Sequence, residues 1–290
     1  MRGKFYSIVA ASLFALFAAG CGGGASGESD TLRVGLIPNQ NPEEVEAQYE
    51  PLEEYLAEEL GEKVEVSVPT TYNAVVESMV SGKLDLAYFG GLTYVQARQR
   101  ADVHPLVTEI NPATGTTKYR SLIIAPTNGD VREVEDIKGK TFAFGSVSST
   151  SGSLYPSIML KEAGVDYRTD LEQKIYTGGH DTTAQAVVNG RVDAGGLEDR
   201  ILADLEKEGI VDGDKIRVVQ ESEPIEGYPW VVRDALSDDR EEEITSAFLN
   251  IEDPKLLDLL RADGYEKVEA SDYDDIEKQA KSLDLLAEEQ

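Results

Sequence analysis

After residue 30 the chain settles into a regular alternation of short apolar runs and longer amphipathic ones. Residues 32–38 (LRVGLIP) predict a strand. Residues 43–60 place Val45, Tyr49, Leu52, Leu56 and Leu60 at helical spacing. Pro51 falls inside that window, so the helix is expected to start or kink there. Gly61 supplies a stop. Residues 63–69 predict a strand, 73–81 a helix closed by Gly82, and 84–89 a strand. The same grammar returns with strands at 141–145 and 173–177 and helices at 153–163 and 182–189. Strand–helix alternation predicts a mainly parallel sheet covered by helices, an α/β fold.

A local echo suggests two such units. Ser81-Gly82-Lys83-Leu84-Asp85-Leu86-Ala87 matches Asn189-Gly190-Arg191-Val192-Asp193-Ala194-Gly195 in pattern, each a helix stop turning into a strand. The chain's 290 residues suffice for two domains. The expected division is lobe one at 31–118 and 221–290 and lobe two at 119–220, with residues 119–125 and 216–220 crossing between them. A cleft where two lobes meet is a favoured ligand site. The acidic stretch 272–290 reads as a solvated helical cap.

The first thirty residues read as an address. Arg2 and Lys4 precede an uncharged stretch from Phe5 to Ala19. That is short for a membrane core of about 30 Å but fits a secretory signal. The run ends in Ala18-Ala19-Gly20-Cys21. Small residues before the chain's one cysteine resemble a bacterial lipobox, with Cys21 lipidated as the first mature residue. Residues 22–30 (GGGASGESD) have the composition of a flexible tether. The expectation is a lipid-anchored protein on the outer face of the bacterial cytoplasmic membrane, with residues 1–20 removed.

Several function classes are disfavoured. A net charge of −28 repels phosphate backbones and anionic lipid, so nucleic acid is not an expected partner. One cysteine and two histidines are too few for a structural zinc site, and no metal or cofactor is expected. There is no G-x-S-x-G and no H-E-x-x-H. Gly139-Lys140-Thr141 ends like a phosphate loop, but Val134 replaces its leading glycine. An enzyme is therefore not expected.

The informative stretch is 146–156 (SVSSTSGSLYP), which follows a strand and opens a helix. Ser148, Ser149, Thr150, Ser151 and Ser153 supply hydroxyls, and Gly152 permits close backbone approach. A helix N-terminus has unpaired N–H groups and partial positive charge, an anion site without a formal cation. The same residues also fit a serine-rich cap that serves only the helix. His180, in GGHDTT before the next helix, fits either an anion donor or a core or capping residue. Tyr72, before the lobe-one helix, fits simple packing.

Together, VPTTYNAVVESMVSGKLDLAYFGGLTYV, KYRSLIIA, DIKGKTFAFGSVSSTSGSLYP, GGHDTTAQAVVNGRVDA and the segment ending YPWVVR resemble the phosphonate/phosphite/phosphate-binding proteins of ABC importers. That resemblance spans most of residues 31–270 and implies a two-lobed type II periplasmic-binding-protein fold with two crossing hinge segments. It implies that Ser149 and Thr150, with amides near Ser151 and Gly152, hold the phosphonate oxygens. His180 would add a donor, and Tyr72 and Tyr119 hydroxyls. Glu198 falls near the carboxylate that meets the amine in aminoalkylphosphonate binders. A second acid of those binders falls at Tyr228 here, with Glu226 two positions earlier. Phosphate, phosphite or a small alkylphosphonate therefore fits at least as well as an aminoalkyl ligand. The implied partners are a membrane ABC permease and a small phosphorus oxyanion, bound by a monomer. A sensory lipoprotein of the same fold, signalling to a membrane partner, is the alternative.

Overall fold

The computed structural model describes residues 31–286, so the expected signal, Cys21 and the tether lie outside the described residues. The chain begins with β1 (Thr31–Leu36), α1 (Pro42–Leu60), β2 (Lys63–Ser67), α2 (Tyr72–Val80), β3 (Leu86–Tyr88), α3 (Gly91–Arg98) and β4 (Val103–Glu109). It continues through β5 (Lys118–Tyr119), β6 (Ser121–Pro126), β7 (Thr141–Phe144), α4 (Tyr155–Glu162), β8 (Gln173–Tyr176), α5 (His180–Val188), β9 (Ala194–Glu198), α6 (Asp199–Lys207) and β10 (Ile216–Glu221). It returns with β11 (Ile225–Glu226), β12 (Pro229–Arg233), α7 (Asp238–Leu249), α8 (Pro254–Leu259), β13 (Tyr265–Lys267) and α9 (Asp274–Ser282).

These strands form two mixed sheets. The first has the order β13-β4-β12-β3-β1-β2 and the second β10-β6-β9-β7-β8. In each sheet three strands run parallel, β2-β1-β3 and β8-β7-β9, as right for strand–helix alternation. Antiparallel partners then extend each sheet. Their near-continuous apolar strands, such as Ser121–Pro126, are buried along their length. The mixed α/β expectation is borne out.

The chain passes between the sheets at a two-stranded antiparallel ribbon, β5 with β11. The apolar segments expected to cross are mostly elsewhere: β6 and β10 pair with each other inside the second sheet. Apolar runs mark buried strands, whereas the joining ribbon is only two residues per strand and carries the ion pair Lys118–Glu226 at 2.5 Å.

Of the two readings of Pro51, a helix start there is overturned, because α1 begins at Pro42 and runs through it. Burial of Val45, Tyr49, Leu52 and Leu56 along one face offsets a lost backbone hydrogen bond. Asn41 caps the start and Gly61, at φ 65°, closes the end.

The echoed Gly-basic-aliphatic-Asp motif does the same job twice. Asp85 accepts from the Arg33 amide at 3.1 Å, and the Asp85 amide donates to the Arg33 carbonyl. Asp193 accepts from the Thr141 amide at 2.8 Å, and its amide donates to the Thr141 carbonyl. Each aspartate thus clamps a neighbouring parallel strand. Asp85 also binds the guanidinium groups of Arg33 and Arg233, at 2.7 and 2.6 Å. Burial pushes its carboxyl up, but those arginines outweigh burial and hold it below the usual range.

Candidate ligand-binding site

The site gathers at the carboxyl ends of the strands, the usual position in α/β sheets. Asn39 follows β1, Gly90 follows β3, Ser146–Ser149 follow β7, Gly179 follows β8 and Glu198 ends β9. The serine-rich stretch does not open directly as an α-helix. Thr150–Leu154 form one wide π-type turn before α4. Such single π-type turns occur frequently at functional sites.

Ser149 caps this turn, its Oγ accepting from the Gly152 amide at 2.9 Å. Gly152 also lies against Gly145, where a Cβ would stand 3.1 Å from the Gly145 Cα. Its smallness therefore serves the packing of turn on strand, and its amide is engaged. The Thr150 Oγ1 accepts from the Leu92 amide of α3 at 2.9 Å, tying the turn to the first sheet's helices. Ser148 donates to Asn73 of α2. The His180 amide, first in α5, donates to the Asn39 carbonyl at 2.9 Å. The helix begins two residues before its sequence-expected start, placing His180 in its first turn.

Three of the expected residues share one property. The Tyr119 hydroxyl, the Ser151 Oγ and both His180 ring nitrogens are buried with no hydrogen-bond partner among the described residues. Their residues are 2%, 0% and 1% exposed. Buried polar groups are ordinarily hydrogen-bonded, so such groups call for an explanation. The Tyr119 hydroxyl lies against the Ser151 and Thr150 hydroxyls, and the buried Tyr72 hydroxyl lies against Ser149. Burial pushes both phenols up, keeping them protonated donors. Burial pushes His180 below its ordinary value of 6.5, so the ring is neutral and donates from one nitrogen. The cluster is thus a set of neutral donors, suited to an oxyanion.

Glu198 is within electrostatic reach of Tyr72, Tyr119 and His180. Its oxygens are already engaged: Arg200 Nε donates to one at 2.6 Å and Tyr228 to the other at 2.5 Å. Burial pushes Glu198 up, but the Arg200 charge first, with the hydrogen bonds from Tyr228 and Arg200, outweighs it and keeps the carboxylate ionised. Arg200 also reaches Glu109 of β4 at 2.9 Å. Sequence reasoning missed Arg200 and Glu109. The available signal was Glu198-Asp199-Arg200, a cation directly after two acids at a strand-to-helix junction. Glu226, the other carboxylate in question, is held in the ribbon by Lys118. No cluster of three or more His, Cys, Asp or Glu able to hold a metal ion occurs among the described residues.

The two histidines titrate in opposite directions. At His104, burial opposes protonation, but Asp234 and Glu241, at 2.6 and 3.0 Å, outweigh it and raise the pKa. Its contribution to stability is fully present below its unfolded value near 6.5 and is lost as pH rises through the folded value. His180 is depressed, so the unfolded chain binds more protons and stability falls as pH drops below about 6.5. Melting curves between pH 5 and 8 should show His180→Gln losing acid sensitivity and His104→Gln losing stability chiefly at the acid end. Identical pH profiles for the two variants would contradict this assignment.

Two sheets joined by a ribbon, with buried unpartnered donors from the ribbon, a strand-end turn and a helix start, define a periplasmic binding protein of the type II class. The chain belongs to the family described as the periplasmic phosphonate substrate-binding proteins of ABC transporters, which its residues 34–273 match. It is therefore an extracytoplasmic transport protein, and the family is not one of enzymes. It is 35% identical to the phosphate-import protein PhnD of Mycolicibacterium smegmatis over 246 residues, 78% of this chain and 76% of that one. It is 27% identical to a probable ABC transporter phosphite-binding protein, PhnD1, of Prochlorococcus marinus, covering 98% of each. The structure of Prochlorococcus marinus PhnD1 in complex with methylphosphonate superposes with a TM-score of 0.78 at 26% identity, covering 88% of this chain and 98% of that one. A binding component of a Pseudomonas aeruginosa phosphonate transporter shares the fold, with a TM-score of 0.80 at 24% identity over 86% of this chain and 85% of that one.

Proposed function

We propose that this protein is a lipid-anchored, monomeric receptor that captures a tetrahedral phosphorus oxyanion between two lobes and delivers it to its permease. The lobes are 31–118 with 221–290, and 119–220. The observation that carries the reading is the convergence of unpartnered buried donors at Tyr119, Ser151 and His180. Ser149, Thr150 and Tyr72 surround them and complete the oxygen-binding set, while Gly152 shapes the turn. Glu198 acts on the ligand at one remove, by orienting its neighbours.

Neutral donors suit this chain. With a net charge of −28, long-range attraction does not draw an anion in. Binding rests on short, charge-assisted hydrogen bonds in a low-dielectric site. The relatives' names, phosphate import in one and phosphite binding in another, support the same ligand class. Cys21, after an apolar signal and before a Gly-rich tether, supports anchoring.

Calorimetry on the full chain with phosphate, phosphite and methylphosphonate tests the reading. One-to-one binding of at least one is expected, with sulfate as the control. At about 100 times Kd the ligand adds about 2.7 kcal/mol to stability, visible as a raised Tm. Absence of heat and of any Tm shift for all three would end the phosphorus assignment.

A further inference from the structure

We propose that Arg200 is a specificity-determining residue: a built-in cation that fills the cationic position beside the oxyanion cluster, so that the site takes phosphorus oxyanions without an ammonium tail. This rests on the phosphorus-oxyanion reading above.

A ligand ammonium next to the donor cluster needs a carboxylate acceptor. The carboxylate within electrostatic reach of Tyr72, Tyr119 and His180 at once is Glu198. Its two oxygens are taken by Arg200 and Tyr228. Behind it, Glu109 Oε1 accepts from Arg200 at 2.9 Å and from Tyr88 at 3.2 Å. The Arg200 side chain is 11% exposed, and its guanidinium packs against the adjoining rings of Tyr119 and Tyr228, 5.1 and 5.5 Å from their centroids.

Tyr119 is therefore a shared wall. Its hydroxyl belongs to the oxyanion cluster, and its ring to the Arg200 cage. A tail running from a bound oxyanion towards Glu198 meets this cage and must displace a charge already paired twice. Opening a buried ion pair leaves uncompensated charge and is costly. The other nearby acid, Asp181, faces a cavity of about 280 Å³ that Tyr72 also lines, and its buried Oδ1 has no partner among the described residues, so an ammonium that turned to it instead would bring the two wild-type affinities together. A small oxyanion or methyl group asks for no such rearrangement.

The test is calorimetric competition between methylphosphonate and 2-aminoethylphosphonate on the full chain. The wild-type protein is expected to favour methylphosphonate by at least about 100-fold, the scale set by breaking a buried charge pair. Arg200→Ala exposes two carboxylates and room for an ammonium, so the preference should fall to about tenfold or less. Arg200→Gln, which keeps bulk but not charge, should move it the same way and serves if the alanine variant does not melt cooperatively. Wild-type affinities within about tenfold of each other overturn the proposal without any variant. So does a folded Arg200 variant with an unchanged preference. Binding of neither phosphonate, nor of phosphate or phosphite, is a different result and removes the underlying ligand class.

Discussion

Ser151→Ala combined with Tyr119→Phe is expected to weaken methylphosphonate binding at least about 100-fold while leaving the Tm unchanged or raised. The two effects have opposite signs for one reason. The two hydroxyls lie against one another without a hydrogen bond of good geometry to the protein, and both are buried. A hydrogen bond to a charged group contributes about 1.5–3 kcal/mol, so losing two removes about 3 kcal/mol or more. Each tenfold in affinity is about 1.4 kcal/mol. Without ligand the same hydroxyls are unsatisfied polar groups, which cost about 1–3 kcal/mol each to bury. Removing them relieves that cost. Phenylalanine keeps the ring beneath Arg200, so the packing there survives. Titration calorimetry and thermal melts on the same sample decide the matter. A lowered Tm with unchanged affinity would make these hydroxyls structural and move the site elsewhere.

Asp85→Ala should lower the Tm by roughly 5–10 °C, with ligand affinity within about twofold of wild type. Asp85 is 5% exposed and serves Arg33 and Arg233 together. Removing the common acid from such a cluster costs about 3–5 kcal/mol when fully buried. Arg33 is about a third exposed and recovers water, so about 2–3 kcal/mol is the better expectation. For a chain of this size each kcal/mol shifts Tm by about 2–4 °C. Asp193→Ala should cost less, because it loses hydrogen bonds from the uncharged Thr141 donors rather than two ion pairs with arginine. Both aspartates precede the amino ends of their parallel strands, and the ligand cluster lies at the carboxyl ends. Affinity should therefore be insulated from both changes. A larger loss at Asp193 than at Asp85 would contradict this ordering.

Much of the architecture was legible because it repeats a local rule. Apolar runs bounded by Gly, Pro and Asn marked β1, β2, β7 and β8 to within two or three residues. The echoed Asp85 and Asp193 motifs pointed to equivalent clamps on two parallel strands. A helix start at Pro51 was the wrong half of that reading, because a local penalty was weighed without the burial of Val45, Tyr49, Leu52 and Leu56 along one helix face. The crossing segments misled for a related reason. Hydrophobicity reports burial, and the chain joins its two sheets through a short polar-edged ribbon. At the candidate site, hydroxyl-rich sequence pointed to Ser149, Thr150 and Ser151. It did not foretell that Ser149 is occupied by the Gly152 amide while Ser151 is unpartnered. Arg200 escaped because its meaning depends on Glu109, which lies far away in sequence and adjacent only after folding.

The depth of the donor cluster also fixes a clock. Tyr119, Ser151 and His180 are nearly sealed from water, and the turn that carries Ser151 is tied to α3 through Thr150 and Leu92. A molecule held there as proposed would be enclosed by the same residues, and its departure is expected to require the two sheets to separate about the ribbon. Residence time is then expected to depend both on that opening and on how strongly each ligand holds the closed form, so discrimination among ligands should appear chiefly in their rates of release.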